Sequence, residues 1–202
     1  IGSQFYPEIE YKTQDEIKKL QEEKLVETMA YVVKNSPFYQ SKFKEWGINP
    51  EEIKTLGDLK KFPLTTKEDL NNNNFDFLCV PRKDIIDYVT TSGTLGDPVT
   101  FALTNNDLDR LALNEALSYA LADCDENDVV QLMTTIDKRF MAGLAYFMGA
   151  KKLGAGIIRV GSGVPELHWD TINRIKPTTI VAVPSFILKL IEFAEKTGID
   201  YS

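Results

Sequence analysis

The 202-residue sequence holds two cysteines, a single histidine, two tryptophans and no long uncharged apolar run. Each scarcity excludes something. Cys79 and Cys124 stand far apart, without the paired spacing of a metal-ligand set or a disulfide framework, so both are expected as reduced thiols. His168 would have to serve a Ser-His-Asp hydrolase alone, and no Gly-x-Ser-x-Gly motif accompanies it. Its context, Glu166-Leu167-His168-Trp169-Asp170, predicts a solvent-exposed position on a helix. No stretch approaches the roughly 20 apolar residues of a membrane-spanning helix, and the N-terminus lacks the basic-then-apolar order of a signal peptide. No membrane association is expected, and the cytoplasm is the expected location.

Positive charge is also short. Lys+Arg total 23 against 30 Asp+Glu, a formal net charge of -7, and the basic residues are scattered between acidic neighbours. Such a surface repels a phosphate backbone, so nucleic acid is not an expected partner. A hydrophobic fraction of 43% supports a real core, in one large domain or two small ones. The chain starts at Ile1 without a methionine and stops at Ser202 just after a helical pattern, which leads to the expectation of a piece of a longer protein.

What is present begins with helices. Thr13 followed by Glu16 has the spacing of a capping box, and Ile17, Leu20, Leu25, Met29, Val32 and Val33 continue as a helical stripe to Ser36-Pro37. A short helix is predicted from Pro37 to Trp46, stopped by Gly47, and another from Thr65 and Glu68, with Asn71 to Asn74 as the solvated loop that ends it. From Asp84 the texture turns to strand: Ile85 to Thr91 and Val99 to Leu103 are rich in β-branched and aromatic residues. A helix follows from Thr104 to about Ala122. Three short apolar runs, Val129 to Met133, Ile157 to Val160 and Thr179 to Val183, then alternate with helical stretches near 140–153, 165–175 and 185–196. This alternation implies parallel βαβ units. The expected architecture is α/β, a helical region over 1–84 followed by a mainly parallel, doubly wound sheet over 85–202, with its ligand site beyond the carboxyl ends of the strands.

Between the first two strand patterns lies Thr90-Thr91-Ser92-Gly93-Thr94-Leu95-Gly96-Asp97-Pro98. Bare amides at Gly93 and Gly96 and hydroxyls at Thr91, Ser92 and Thr94 are what a backbone offers to wrap a polyphosphate. The same composition also suits a plain hairpin turn. A Walker loop is excluded, because no Gly-Lys-Ser/Thr closes the segment and no helix follows it, and a dinucleotide fingerprint is excluded by the missing third glycine.

Thr91 to Pro98 resembles the Ser/Thr-Ser-Gly-Thr-Thr-Gly-x-Pro signature of adenylate-forming enzymes. Four further segments resemble the phenylacetate-CoA ligase branch, in that family's order: Asn35-Ser36-Pro37-Phe38-Tyr39, Phe62 to Leu70, Phe77 to Arg82, and Val183-Pro184-Ser185-Phe186. The resemblance implies the N-terminal portion of an ATP-dependent ligase. Such an enzyme activates a carboxylic acid, phenylacetate or another aryl acid, as its acyl-adenylate and passes it to coenzyme A, with ATP, Mg²⁺ and CoA as cofactors. It implies phosphate binding by Thr91, Ser92, Gly93, Thr94, Leu95 and Gly96, and an aryl pocket that includes Phe140, Gly143, Pro184 and Ser185.

The same resemblance leaves catalytic residues in the strict sense outside this sequence. The adenine-binding Tyr-Gly-x-Thr-Glu motif, the ribose-binding aspartate and the mobile domain with the adenylation lysine find no counterpart here, so the piece alone is expected to be inactive and to pack against a missing C-terminal half. Two positions depart from the signature: Leu95 removes a hydroxyl and Asp97 sets a negative charge beside an anionic ligand, a repulsion of about 1 kcal/mol or more at short range. The alternatives are therefore a degenerate nucleotide-binding or regulatory module and an acyl-protein synthetase of the same superfamily. Self-association into a homodimer through an uncovered edge or face is a further expectation.

Overall fold

A computed structural model describes residues 8–91, 93 and 97–201. By packing the chain divides after Asn105. The expected division at residue 84 falls where helix gives way to strand, and the hairpin that follows it packs with the preceding helices.

In the first unit, α1 (Gln14–Asn35) starts where the capping box requires: the Glu16 N–H donates to Thr13 Oγ1 at 3.3 Å and the Thr13 N–H donates to Glu16 Oε2 at 2.9 Å. It ends at Ser36 and α2 (Pro37–Trp46) begins at once, because proline fits the first helical turn but not the residue before it. Gly47, at φ 64°, terminates α2 in the left-handed conformation. Met29 of α1, Phe43 of α2 and Ile53 form the core here, with Phe62 and Trp46 packed edge-on to Phe43.

The next helix, α3 (Lys67–Asn72), begins one residue later than its sequence signal. The capping pair is Thr66 and Asp69, with the Asp69 N–H donating to Thr66 Oγ1 at 3.1 Å and the Thr66 N–H to Asp69 Oδ2 at 2.9 Å. Both registers are written in Thr65-Thr66-Lys67-Glu68-Asp69, but the Thr65 hydroxyl lies 3.5 Å from the Tyr39 hydroxyl, which leaves Thr66 to cap. The asparagine run is not simply a solvated loop. Asn71 and Asn72 are helical, and the Asn74 amide clamps Thr100, donating to its carbonyl at 2.7 Å and accepting from its N–H at 3.0 Å. That clamp covers the outer edge of β2 (Thr100–Thr104), whose other edge pairs antiparallel with β1 (Ile85–Thr90).

The second unit opens with α4 (Asn105–Leu121), followed by β3 (Val129–Leu132), α5 (Met141–Leu153), β4 (Gly156–Arg159), α6 (Pro165–Ile175), β5 (Thr179–Val181) and α7 (Pro184–Thr197). The strands form a parallel sheet in the order β4-β3-β5. From β3 the chain steps one way to β4, then crosses back to β5 on the other side, so right-handed crossovers place α5 and α6 on opposite faces. Burial agrees with this doubly wound arrangement. Val130 packs with Ala116, Tyr119 and Ala120 of α4 and with Ala150 and Leu153 of α5, whereas Gln131, the next residue, meets α6. Gly149 lets α5 approach α4, since a Cβ there would collide with Glu115.

The expectation of an exposed His168 is corrected: it is 1% exposed. His168 and Thr171 form the inward side of the amphipathic α6, while Leu167 faces out. The polarity that argued for exposure is answered by Gln131, itself fully buried on the sheet face below. Cys79 is half-buried and Cys124 buried, and both are free.

Candidate functional site

The glycine-rich segment connects β1 to β2. Ser92, Thr94, Leu95 and Gly96 lie outside the described residues, so the expected phosphate cradle is visible only at Thr91, at Gly93 and at its outgoing limb, where Asp97 and Pro98 are exposed. Its neck is well defined. Beyond the last strand pair, the Thr91 N–H donates to the Val99 carbonyl and the Val99 N–H donates to Thr91 Oγ1, both at 3.0 Å. Thr91 Oγ1 therefore uses one of its two lone pairs to close the neck. Gly93 sits at φ 68°, a conformation that a side chain disfavours. The segment joins strand to strand, as the exclusion of a Walker loop requires.

In the second unit the expected acid-binding residues lie at the carboxyl edge of the sheet. Because β3 feeds α5 and its neighbour β5 feeds α7, the topological switch point falls between β3 and β5, where open α/β sheets bind ligands. The Met133 N–H donates to the Val181 carbonyl at 2.9 Å, extending the pairing to the rim. Phe140, at the N-cap of α5, is 44% exposed, and Pro184 and Ser185 open α7 with exposed side chains. Gly143 is buried in the first turn of α5, where a Cβ would fall on the Thr135 carbonyl oxygen. Its contribution is close approach of the helix to the β3–α5 loop, and not a surface of its own.

That loop holds groups the sequence reading missed. Thr134, Thr135, Ile136 and Asp137 line a pocket of 280 Å³ with Arg159, Val160 and Gly161 from the end of β4. The Thr135 hydroxyl donates to the Asp137 carboxylate. Lys138 and Arg139 follow at φ 59° and 60°, two successive left-handed residues that cost about 1–2 kcal/mol each and hold the turn just before Phe140. No composition signal marks these residues; only the ends of the strands, once known, point to them. Among the described residues no three of His, Cys, Asp and Glu gather as a metal-ligand set.

Burial moves two titrating groups of the second unit. The Tyr119 phenol, whose hydroxyl donates to the Tyr146 carbonyl at 3.3 Å, is pushed well above its usual range by loss of water, and the His168 imidazole is pushed below its usual value for the same reason. His168 is therefore a neutral ring at physiological pH.

No family model matches the chain. A phenylacetate-coenzyme A ligase of Escherichia coli strain K12 is 35% identical over 189 residues, covering 93% of this chain and 43% of the relative. A phenylacetate-coenzyme A ligase of Thermus thermophilus is 32% identical over 198 residues, covering 97% of this chain and 44% of the relative. Among solved structures, a 2-hydroxyisobutyryl-CoA ligase in complex with 2-HIB-AMP and CoA superposes with a TM-score of 0.83 at 25% identity, over 93% of this chain and 41% of that one. The chain spans less than half the length of the curated relatives it matches. Along nearly all of its own residues the chain is similar to these phenylacetate-coenzyme A ligases in sequence and to the 2-hydroxyisobutyryl-CoA ligase in fold, as the counterpart of a portion of those enzymes.

Proposed function

We propose that the chain is the N-terminal portion of an ATP-dependent ligase that converts a carboxylic acid, phenylacetate or another aryl acid, to its CoA thioester through an acyl-adenylate. A carboxylate oxygen attacks the α-phosphorus of ATP and pyrophosphate leaves; the CoA thiol then attacks the acyl carbon and AMP leaves. The observation that carries this reading is the switch-point edge built by the starts of α5 and α7, in a fold shared with a ligase whose structure holds an acyl-adenylate and CoA.

In this reading Thr91, Ser92, Gly93, Thr94, Leu95 and Gly96 hold the β- and γ-phosphates, and catalysis at this end is positioning and charge stabilisation. Phe140, Pro184 and Ser185 face the acid, with Gly143 setting how close α5 comes. Mg²⁺ accompanies the triphosphate in the proposal, and the described residues offer it no ligand set of their own. A cytoplasmic location, and self-association through the exposed Ile180, Val183 and Leu188 at and after the edge strand β5, belong to the same proposal. No helix among the described residues is long and apolar enough to cross a membrane.

The test is acid-dependent ATP–pyrophosphate exchange by the full-length protein that carries this chain, across a panel of aryl and alkyl acids. Exchange with an aryl acid is expected, and no exchange with any acid would sink the reading. The exposed carboxylate of Asp97 favours a second reading, a degenerate nucleotide module. Calorimetric titration with Mg-ATP separates the two: in a working ligase Asp97→Lys tightens binding, whereas a degenerate site binds no nucleotide in either form.

A further inference from the structure

Resting on the reading of Pro184 and Ser185 as part of the acid site, we infer that His168 is a positioning residue for the acid: Gln131 of β3 holds its ring, and the ring sets Phe186 and the turn that meets the substrate.

The geometry leaves His168 one state. Gln131 Nε2 lies 3.4 Å from the His168 carbonyl oxygen and 3.2 Å from His168 Nδ1. A carbonyl only accepts, so the end of the Gln131 amide that faces it is the NH₂ end, and the same NH₂ faces Nδ1. Nδ1 must then be the bare, accepting nitrogen, and the ring proton sits on Nε2. Protonating Nδ1 would set N–H against N–H, and Gln131, the polar side chain bonded to the ring, offers no carboxylate to receive a charge. Burial works in the same direction.

The oriented ring has a definite neighbour. It meets Phe186 edge-on, with centroids 4.9 Å apart and planes at 67°, the edge-to-face geometry that aromatic quadrupoles favour. Phe186 follows Ser185 directly in the first turn of α7. One turn further along α7, the Trp169 indole N–H donates to the Leu190 carbonyl at 3.0 Å. Two consecutive residues of α6 thus grip α7 at positions 186 and 190, and His168 holds the end that carries the turn.

For stability alone this is poor packing. Gln131 Oε1 and His168 Nε2 are buried without a partner among the described residues, and hydrocarbon side chains of the same volume would leave no polar atom unsatisfied. What a buried amide–imidazole pair adds is direction, fixing tautomer and ring plane together.

Steady-state kinetics of the full-length protein test the inference through two substitutions that separate the contacts. His168→Asn keeps an oxygen near the Nδ1 position to accept from Gln131 but removes the ring from Phe186. It should raise the acid KM about tenfold while the ATP KM stays within about twofold, and Phe186→Ala should do the same, with the double variant no worse than either single one. His168→Phe restores an aromatic edge and should recover most of the lost acid affinity at the expense of thermal stability. Equal rises in both KM values, additive effects in the double variant, or no rescue by His168→Phe would each overturn the inference. An arm free of activity uses this chain, whose single histidine can be labelled with ¹⁵N: a protonated Nε2 and bare Nδ1 at neutral pH are expected, and the opposite tautomer or a charged ring would refute the brace. No exchange by the wild type with any acid removes the function and this role together, whereas an active wild type with an unchanged acid KM in His168→Asn removes this inference alone.

Discussion

One hydroxyl at Ser36 serves two helices. It is fully buried, its Oγ accepts from the Tyr39 N–H at the start of α2, and it donates to the Asp76 carbonyl at 2.9 Å. Ser36→Ala removes a cap and the bond to the Asp76 carbonyl, so chemical denaturation should show a loss of about 1–2 kcal/mol. At the carboxyl edge of the parallel sheet, Gly143→Ala drives a methyl into the Thr135 carbonyl; a loss of about 1–3 kcal/mol in thermal or urea unfolding is expected, and a wild-type melting curve would contradict the close approach. Residues of the Thr13 and Gly47 kind were legible in the sequence because capping and left-handed stops are settled within a few residues. His168 was not. Its burial depends on Gln131, 37 positions away, and no local pattern announces that a polar side chain will find a polar partner on the sheet. Gly143 was singled out only through the family resemblance, and its close contact with the Thr135 backbone needed the structure.

Among elements, helices and strands came through with boundaries shifted by one or two residues, because hydrophobic period and turn chemistry are local quantities. The shift at α3 shows the limit: two overlapping Thr-x-x-acid signals compete, and a contact from Tyr39 decides between them. The role of Asn74 was not legible for a similar reason, since its clamp on Thr100 reaches 26 positions along the chain. Asn74→Ala should loosen the outer edge of β2 and, with it, the neck of the glycine-rich segment. Amide hydrogen exchange reads this directly: the Thr100 N–H, protected by Asn74 in the native hairpin, should exchange at least about tenfold faster in the variant, while β3 amides are unchanged.

For the whole molecule, the two packing units should answer acid differently. In the second, burial lowers the His168 pKa from the ordinary 6.5, so the unfolded chain takes up a proton that the folded one refuses; stability is complete above that value and declines as the pH falls through it toward the lowered folded value. In the first, hydrogen bonds from the Thr13 backbone to Glu16 and from the Thr66 backbone to Asp69, and the Lys61 ammonium and Thr55 groups on Asp58, hold three carboxylates below their usual range. Their contribution is present above the ordinary carboxylate range and is lost only as the pH falls through the lowered values. Trp46 and Trp169 lie one in each unit, so Trp46→Phe and Trp169→Phe give separate fluorescence reports. The Trp169 signal should begin to change at milder acidity than the Trp46 signal; coincident transitions would show the sign or size of one effect to be wrong. The alternation of strand and helix disclosed a parallel sheet in the sequence, but not its order, because no residue pattern says on which side of β3 the next strand will land.

That order has a kinetic consequence. β3 lies between β4 and β5, and both of its partners come later in the chain. During synthesis the edges of Val129 to Leu132 remain unpaired until residues 156–159 supply one partner and residues 179–181 the other, so the sheet around β3 cannot close before the chain has grown past Val181. The centre of the sheet is thus made first and completed last, and the interval between the two is when this unit is most open to aggregation.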